Sequence, residues 1–306
     1  MIAICLSTYN GSDYINEQLC SLENQSYSHT NIIIIARDDG SKDKSYEILQ
    51  NFAQNTSIAV KLMTDRKNLG VKKSFEVLMK CALDMSSDYI MFCDQDDVWN
   101  REKVAQTLEK MEQLENVYPN QSILIHTDLS VVDQELHLIH TSFWKYQHID
   151  PNLQKLNHFI VKNTITGCTM MMNRALAKKV HAIPNEAIMH DWWIAMVASV
   201  FGYISTINEP LIHYRQHEKN DTGAKRYGWN YWLSKVFSPP SFDKYILQAS
   251  KFLEIYRQEL PPSQIEMLDA VSKLEDMNWL KRRIVLIKYR IFKNGLIRNI
   301  GLMLFA

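Results

Sequence analysis

Short apolar runs alternate with helix-like stretches over the first hundred residues, and this alternation constrains the fold more than any other feature. The apolar runs occupy residues 2–6, 31–36, 58–63 and 89–93. The helix-like stretches between them occupy residues 12–22, 46–52 and 71–83. Four consecutive isoleucines in the second run are typical of a strand that is buried on both faces. This βαβαβαβ order predicts an α/β fold, a mostly parallel sheet with helices on both faces.

Polar clusters follow three of the predicted strands. They lie at residues 8–10, 38–41 and 94–97. Ligands of open α/β sheets bind beyond the carboxyl ends of the strands, where such clusters meet. We therefore expect the three clusters to form one ligand-binding crevice.

The third cluster is acidic, with Asp94, Asp96 and Asp97 close together and no Lys or Arg between residues 84 and 97. Carboxylates this close repel one another, and a divalent cation compensates them. Oxygen ligands suit Mg²⁺ or Mn²⁺, and Mg²⁺ commonly shares its shell with substrate phosphates. The alternative is a solvated turn in which Asp97 caps the next helix. We favour the metal site because an apolar strand delivers these acids to a sheet edge.

Composition and missing motifs exclude several classes of protein. The 34 basic and 34 acidic residues give a net charge of zero, so no overall basic excess points to nucleic acid. No glycine-rich GxGxxG or GxxxxGK[ST] loop occurs, which argues against dinucleotide oxidoreductases and P-loop NTPases. The five cysteines form no CxxC pair, which indicates a reducing compartment. With no signal peptide or apolar span evident, we expect a cytoplasmic enzyme or one on the inner membrane face.

Five motifs occur in the order seen in inverting GT-A glycosyltransferases of family two, which the chain resembles. They are STYNG at 7–11, DDGS at 38–41, NLG at 68–70, DQDDVW at 94–99 and HDWW at 190–193. Four more look like those of bacterial rhamnosyltransferases that build rhamnose-rich cell-wall or capsular polysaccharides. These are TDL at 127–129, TGCTMM at 166–171, IMHDW at 188–192 and YRQHE at 214–218. The likeness covers about residues 1–225.

The resemblance implies a role for each matching residue. The expected nucleotide-sugar contacts are Thr8, Tyr9, Asn10, Asp39, Gly70, Lys73, Asp94 and Arg215. The expected metal ligands are Asp94, Asp96 and His217. Asp39 suits a pyrimidine N–H, although an Asp-Gly turn explains it equally well. His217 is otherwise a surface or core histidine, and Lys73 otherwise solvates a helix face.

Asp191 is the candidate catalytic base. Inverting transfer needs a carboxylate on the acceptor side to take a hydroxyl proton, while a metal stabilises the departing diphosphate. The acceptor-binding residues implied beside it are Gly167, His190, Trp192 and Trp193. The alternative is that Asp191 caps a helix and both tryptophans lie in the core.

The expected division is a GT-A catalytic domain at 1–220 and a helical region at 221–306. Within the first, residues 1–120 form the nucleotide-sugar half and 121–220 the acceptor half. Residues 277–306 carry seven basic residues, no acid and interleaved apolar residues. Such a tail is typical of an interfacial helix on an anionic membrane, at the inner face of the cell membrane. The alternative is a helix that packs on the catalytic domain or on a second subunit of a homodimer.

The function predicted is transfer of L-rhamnose from dTDP-β-L-rhamnose, with inversion, to a lipid-linked polysaccharide. One alternative is the same machinery with another donor, such as a UDP-hexose. Another is a non-catalytic protein that binds nucleotide sugars or glycans, although a binding protein needs no base. A metal-dependent phosphohydrolase would want more His and Asp ligands than this crevice offers.

Overall fold

A computed structural model describes residues 1–217 and 242–305, and the predicted boundary at 220/221 lies outside them. The strands are β1 (Ile2–Thr8), β2 (Ile32–Asp38), β3 (Ala59–Leu62), β4 (Tyr89–Cys93), β5 (Val98–Trp99), β6 (Ser122–Val132), β7 (Leu138–His140), β8 (Met171–Asn173) and β9 (Gly202–Arg215). The helices before residue 218 are α1 (Ile15–Glu23), α2 (Ser45–Asn55), α3 (Val71–Asp84), α4 (Lys103–Val117), α5 (Phe143–Gln147), α6 (Leu156–Phe159), α7 (Arg174–Val180) and α8 (His190–Phe201). Those after residue 241 are α9 (Asp243–Tyr256), α10 (Pro262–Ser272), α11 (Trp279–Lys288) and α12 (Leu296–Phe305). Short 3₁₀ turns lie at His29–Asn31, Gly167–Thr169 and Leu274–Asp276.

The described strands form one nine-stranded sheet in the order β3-β2-β1-β4-β8-β6-β9-β5, with β7 beside β6. The first four strands pair in parallel, as the βαβ pattern predicts. The second half is mixed, because β8 runs antiparallel to β4 and β6 while β9 runs parallel to β6. The α/β fold is therefore confirmed.

Helices cover both faces of the sheet, and the isoleucine run shows how. Ile33 and Ile35 enter the core layer that includes α3 and α8, whereas Ile32 and Ile34 enter the layer that includes α1 and α4. Successive side chains of a strand point to opposite faces, so a continuous apolar run is what a doubly covered strand requires.

The apolar segment at 164–173, with Gly167 inside it, predicts one strand, but the structure differs. Only its last residues form β8, and a 3₁₀ turn occupies Gly167–Thr169. The Asn163 side chain bonds both the N–H and the C=O of Ile165, which ends any strand pairing there. This break bends the chain so that Gly167 meets the start of α8.

The basic tail does not form the single helix that its sequence predicts. It forms two helices, α11 and α12, separated near Arg290 and Gly295, which both have left-handed backbone conformations. Leu286, Ile291 and Leu302 pack into the same core layer as α3 and α8. Part of the tail therefore belongs to the protein core. Among the described residues no helix has the length and apolar character to cross a membrane.

Candidate active site

The three polar clusters meet at one edge of the sheet, as predicted. The Asp39 N–H donates to the Thr8 carbonyl at 2.8 Å, and the Asn10 N–H donates to Ser41 Oγ at 2.8 Å. These bonds join the ends of β1 and β2. The Asn10 side chain extends the same contact by accepting the Lys42 N–H at 2.9 Å.

Gln95 joins the acidic loop to the end of β1. Its Oε1 accepts from Thr8 Oγ1 at 2.6 Å and from the Tyr9 N–H at 2.7 Å. A Cβ on Gly11 would lie 2.3 Å from that same oxygen, so only glycine allows this close approach. Thr8 is buried, whereas the Tyr9 side chain is exposed and is open to a ligand.

Asp39 is buried and paired. It forms an ion pair with fully buried Arg37, and its oxygens accept the Leu69 N–H at 2.9 Å and the Gly70 N–H at 2.8 Å. Gly70 has φ +76°, which glycine adopts without strain. In this structure Asp39 thus holds the loop before α3 in place.

The acidic cluster lies on the far side of Gln95. The ligand atoms of Asp94, Asp97 and Cys168 all lie within 4.8 Å of one another, and His217 Nε2 lies 2.8 Å from Asp96 Oδ2. The His217 ring stacks on Tyr14 with a centroid separation of 4.6 Å. Asp94, Asp96 and His217, the expected metal ligands, thus belong to one region.

The sequence patterns did not indicate that Asp97 is central to this cluster, or that Cys168 and Lys103 lie near it. Asp97 is fully buried, and among the described residues its Oδ2 has no hydrogen-bond partner. Burial raises the pKa of Asp97 well above its usual range, and Asp96 and Asp94 add to the effect. Fully buried Lys103 lies 4.4 Å from the centre of the Trp99 ring, and burial lowers its pKa to about 8. A helix-like stretch gives no sign that one of its lysines turns inward.

The acidic cluster fits a divalent cation, because it is rich in oxygen atoms and the buried Asp97 Oδ2 has no hydrogen-bond partner among the described residues. Asp94, Asp96 and Asp97 supply oxygen atoms and His217 a ring nitrogen, a donor set that suits Mg²⁺ or Mn²⁺. The cation would also offset the repulsion from Asp96 and Asp94, which adds to the effect of burial on the pKa of Asp97.

Asp191 lies near the start of α8. Its Oδ1 accepts the Trp192 N–H at 2.6 Å, and its Oδ2 accepts the Gly167 N–H at 3.0 Å. Burial raises its pKa to about 7 even though these two bonds oppose the shift. A carboxyl group that titrates near neutrality can take up and release a proton at physiological pH.

Gly167 connects Asp191 to the acidic cluster. Its N–H binds Asp191, and the next residue, Cys168, has its sulfur within 4.8 Å of the Asp94 and Asp97 ligand atoms. The candidate base and the candidate metal ligands therefore lie at one site. The break in the predicted strand is what produces this arrangement.

The side chains of His190 and Trp193 are buried in this structure. His190 is buried, and its ring lies 4.3 Å from the Phe75 ring. Burial lowers its pKa to about 3, so it is neutral. Trp193 is fully buried against Phe252, with ring centroids 5.3 Å apart. Both side chains are buried in this structure, and direct contact of either with an acceptor stays a prediction.

Trp192 is half-buried, and its Nε1–H donates to the Phe159 carbonyl at 2.5 Å. Of the three side chains around Asp191, it alone keeps an exposed part.

Arg215 and Lys73 are engaged by protein groups. Buried Arg215 donates to the Asp96 carbonyl at 2.9 Å and pairs with Glu17. Lys73 Nζ lies 2.6 Å from Glu76 Oε2 and 3.1 Å from the Ile183 carbonyl. In this structure Arg215 holds the acidic loop and Lys73 the segment before α8. Contact of either side chain with a diphosphate stays a prediction.

Gly167→Ala should destabilise the protein by about 1–3 kcal/mol, because a Cβ there would lie 2.9 Å from His190 Nε2. Urea unfolding of both proteins measures the difference. Gly301→Ala is the matched control, since a Cβ at Gly301 meets nothing within 4 Å and Ala favours the helix. Equal free energies of unfolding for Gly167→Ala and the unmodified protein would contradict the close approach.

The model of the family named Glycosyl transferase family 2 matches residues 3–180. Two bacterial relatives align over most of their length. The dTDP-rhamnosyl transferase RfbG of Shigella flexneri is 26% identical over 228 residues, 72% of this chain and 74% of that protein. The putative teichuronic acid biosynthesis glycosyltransferase TuaG of Bacillus subtilis is 28% identical over 219 residues, 70% of this chain and 79% of that protein.

Solved structures show the same fold. S. aureus TarS in complex with UDP-GlcNAc superposes with a TM-score of 0.58 at 17% identity, covering 94% of this chain and 80% of that one. The mannosyltransferase PcManGT from Pyrobaculum calidifontis, in complex with GDP-Man and Mn²⁺, gives 0.53 at 15% identity, covering 98% and 78%. The family model spans more than half of the chain and contains the three converging clusters. The chain therefore belongs to glycosyl transferase family 2 and has the GT-A-like α/β fold.

Proposed function

We propose that this family 2 glycosyltransferase is an inverting, metal-dependent rhamnosyltransferase. Its donor is dTDP-β-L-rhamnose and its acceptor is a hydroxyl of a lipid-linked polysaccharide. The proposed catalysis is supported chiefly by Asp191, a buried carboxylate with a pKa of about 7. It accepts a hydrogen bond from Gly167, and the next residue, Cys168, lies in the acidic cluster. A protein that only binds glycans needs no such group.

The reaction in this proposal is a single displacement. The acceptor oxygen forms a bond to the anomeric carbon, the bond from that carbon to the diphosphate oxygen breaks, and Asp191 receives the hydroxyl proton. The nucleoside diphosphate leaves with the electron pair. Because the acceptor enters opposite the leaving group, a β-linked donor gives an α-linked product.

Asp94, Asp96 and His217 would hold the divalent cation, with the buried carboxylate of Asp97 as a further oxygen donor. The cation, when bound, neutralises charge on the leaving diphosphate. Arg215 and Glu17 keep the acidic loop in register, since the guanidinium binds the Asp96 carbonyl and the Glu17 carboxylate. Tyr9, which is exposed beside Gln95, would contact the nucleotide.

The choice of L-rhamnose rests on the likeness to RfbG and on the motifs at 127–129, 166–171, 188–192 and 214–218. The competing donor is a UDP-sugar, which the fold also accommodates in TarS. A donor screen separates the two. Nucleoside diphosphate release is measured across dTDP- and UDP-sugars, with Mn²⁺ and with EDTA. We expect the highest turnover with dTDP-β-L-rhamnose, and equal use of UDP-glucose would overturn the rhamnose assignment.

We also propose that the tail attaches the enzyme to an anionic membrane. Trp279, Leu280, Ile284 and Ile287 of α11 are between 56% and 61% exposed and form an apolar ridge. Exposed Lys281 lies in the same helix, and residues 277–306 contain no acid. A symmetric dimer through this ridge would bring two sets of positive charge together, so charge favours anionic lipid over a second copy.

Leu280→Asp with Ile284→Asp should lower binding to phosphatidylglycerol vesicles at least tenfold, because burial of each side chain in lipid contributes about 1.5–3 kcal/mol. Co-sedimentation measures this, with phosphatidylcholine vesicles for comparison. Val117→Asp is the control, since Val117 is 64% exposed on α4, outside the tail. These substitutions are preferable to truncation, because Leu286 and Ile291 are core residues. Vesicle binding unchanged by the paired substitution would contradict the attachment.

A further inference from the structure

A cavity whose lining includes none of the acidic cluster lies between the catalytic body and the tail. It has a volume of about 180 Å³. Three cationic side chains line it, together with amides and two apolar residues. The lining includes Lys162, Lys293, Arg298, Asn294, Phe143 and Ile149.

The cations converge from separate parts of the chain. Lys162 follows α6, Lys293 lies between α11 and α12, and Arg298 lies in the first turn of α12. Lys162 Nζ bonds Asn294 Oδ1 at 2.6 Å, and the Arg298 guanidinium bonds the Gln147 carbonyl at 3.0 Å. These two bonds fix the positions of the charges around the cavity.

None of the described residues that line the cavity is acidic. Burial lowers the pKa of Lys162 to about 8; Asp150 opposes this shift and Arg298 adds to it. An anion in the cavity would favour the charged form of Lys162. Three cations with amide donors are suited to the oxygens of a phosphate.

The apolar lining narrows the class of anion. Phe143 and Ile149 are half-buried on the wall of the cavity. A free inorganic ion would make no use of them, whereas the first carbons of a lipid phosphate ester would pack on them. The lining therefore suits an amphiphilic ligand that carries a phosphate group on an apolar chain.

The cavity also lies close to Asp191. Asn163 lines it, and four residues later Gly167 donates to Asp191 Oδ2. A chain of four residues spans at most about 14 Å, so an acceptor anchored in the cavity lies within reach of the base. We propose that this cavity binds the phosphate or diphosphate group of a lipid, namely the carrier of the acceptor. Only the identification with the acceptor's carrier rests on the proposed function.

The test is calorimetric binding of geranyl diphosphate to the full chain, with EDTA and saturating dTDP present so that the donor site is unavailable. Lys162→Met with Arg298→Met should weaken binding at least tenfold, because each lost charge-assisted bond contributes about 1.5–3 kcal/mol. Lys293→Met alone should weaken it less. Lys273→Met is the control, because this lysine pairs with Asp269 on the surface and lies outside the cavity. Unchanged dTDP affinity shows that the variants remain folded.

Two further arms identify the source of the phosphate. Phosphatidylglycerol vesicles test a membrane headgroup, and an effect of the cavity variants there also supports a lipid phosphate site. Inorganic pyrophosphate tests a free ion; if the variants lower its affinity as much as that of geranyl diphosphate, the lipid assignment is overturned. Equal geranyl diphosphate affinity in all variants overturns the site itself. Failure of the proposed function is separate, since wild-type enzyme would then release no nucleoside diphosphate while still binding geranyl diphosphate.

Discussion

Asp191→Asn should lower kcat for sugar transfer by about 10³-fold, the range that general-base catalysis supplies. Asn has nearly the same shape and still accepts a backbone hydrogen bond, but it cannot take the acceptor proton. We expect the donor nucleotide to contact other residues, so its dissociation constant should stay the same. Turnover and dTDP binding measured on one preparation separate the two effects.

The matched control is Asp269→Asn, which removes a carboxylate from an exposed ion pair on α10. That variant should keep full turnover. If Asp191→Asn also kept near-full turnover, Asp191 would not be the base, and the catalytic part of the proposal would be lost.

The pKa of Asp191 adds a pH dependence with a definite sign. The group acts as a base only when it is ionised, so kcat/KM should rise with pH through about 7. The folded state favours the protonated form, so wild-type stability falls as pH rises from the ordinary value of 3.8 to about 7. At about pH 8, Asp191→Asn should therefore be more stable than wild type, by as much as about 4 kcal/mol. The two should converge at about pH 3, and urea unfolding at both values measures this.

Asp96→Asn should lower turnover by about 10²- to 10³-fold, and EDTA should do the same to the unmodified enzyme. Asp96 is expected to bind the cation together with His217, whose Nε2 lies 2.8 Å from it. The variant should still fold, because it removes one charge that repels Asp97. Turnover against Mn²⁺ concentration measures both the affinity and the limiting rate.

The chain offers a matched control for this experiment. Asp133, Glu135 and His137 form a second group of candidate ligands, between β6 and β7, with Glu135 and His137 exposed. Asp133→Asn should leave turnover and its Mn²⁺ dependence unchanged. Full turnover of Asp96→Asn in EDTA would contradict the metal site.

The half of the fold that follows a simple pattern could be predicted from the sequence. Apolar runs gave the parallel strands, and the carboxyl ends of those strands placed Thr8, Asp39 and Asp94 together. The hydrogen bonds through Gln95 and Ser41 confirm that convergence. The 3₁₀ turn at Gly167–Thr169 has no periodic signal, since it depends on contacts made by Asn163 and Asp191.

Side-chain roles were harder to predict, because they depend on distant partners. Arg215 pairs with Glu17, which lies 198 positions away in the sequence. Trp193 and His190 are buried in the core, because packing against Phe252 and Phe75 decides where their side chains point. Lys103 is buried beside Asp97, which nothing in a helix-like stretch reveals. Sequence patterns report the backbone period well and long-range pairing poorly.

The most direct test of single displacement at Asp191 is the configuration of the sugar that is released. Water serves as the acceptor, so no polysaccharide is needed. The enzyme is mixed with dTDP-β-L-rhamnose and Mn²⁺, and proton NMR follows free rhamnose before its anomers equilibrate. We expect the α anomer to appear first. First appearance of the β anomer would mean retention of configuration and would contradict Asp191 as the base of an inverting transfer.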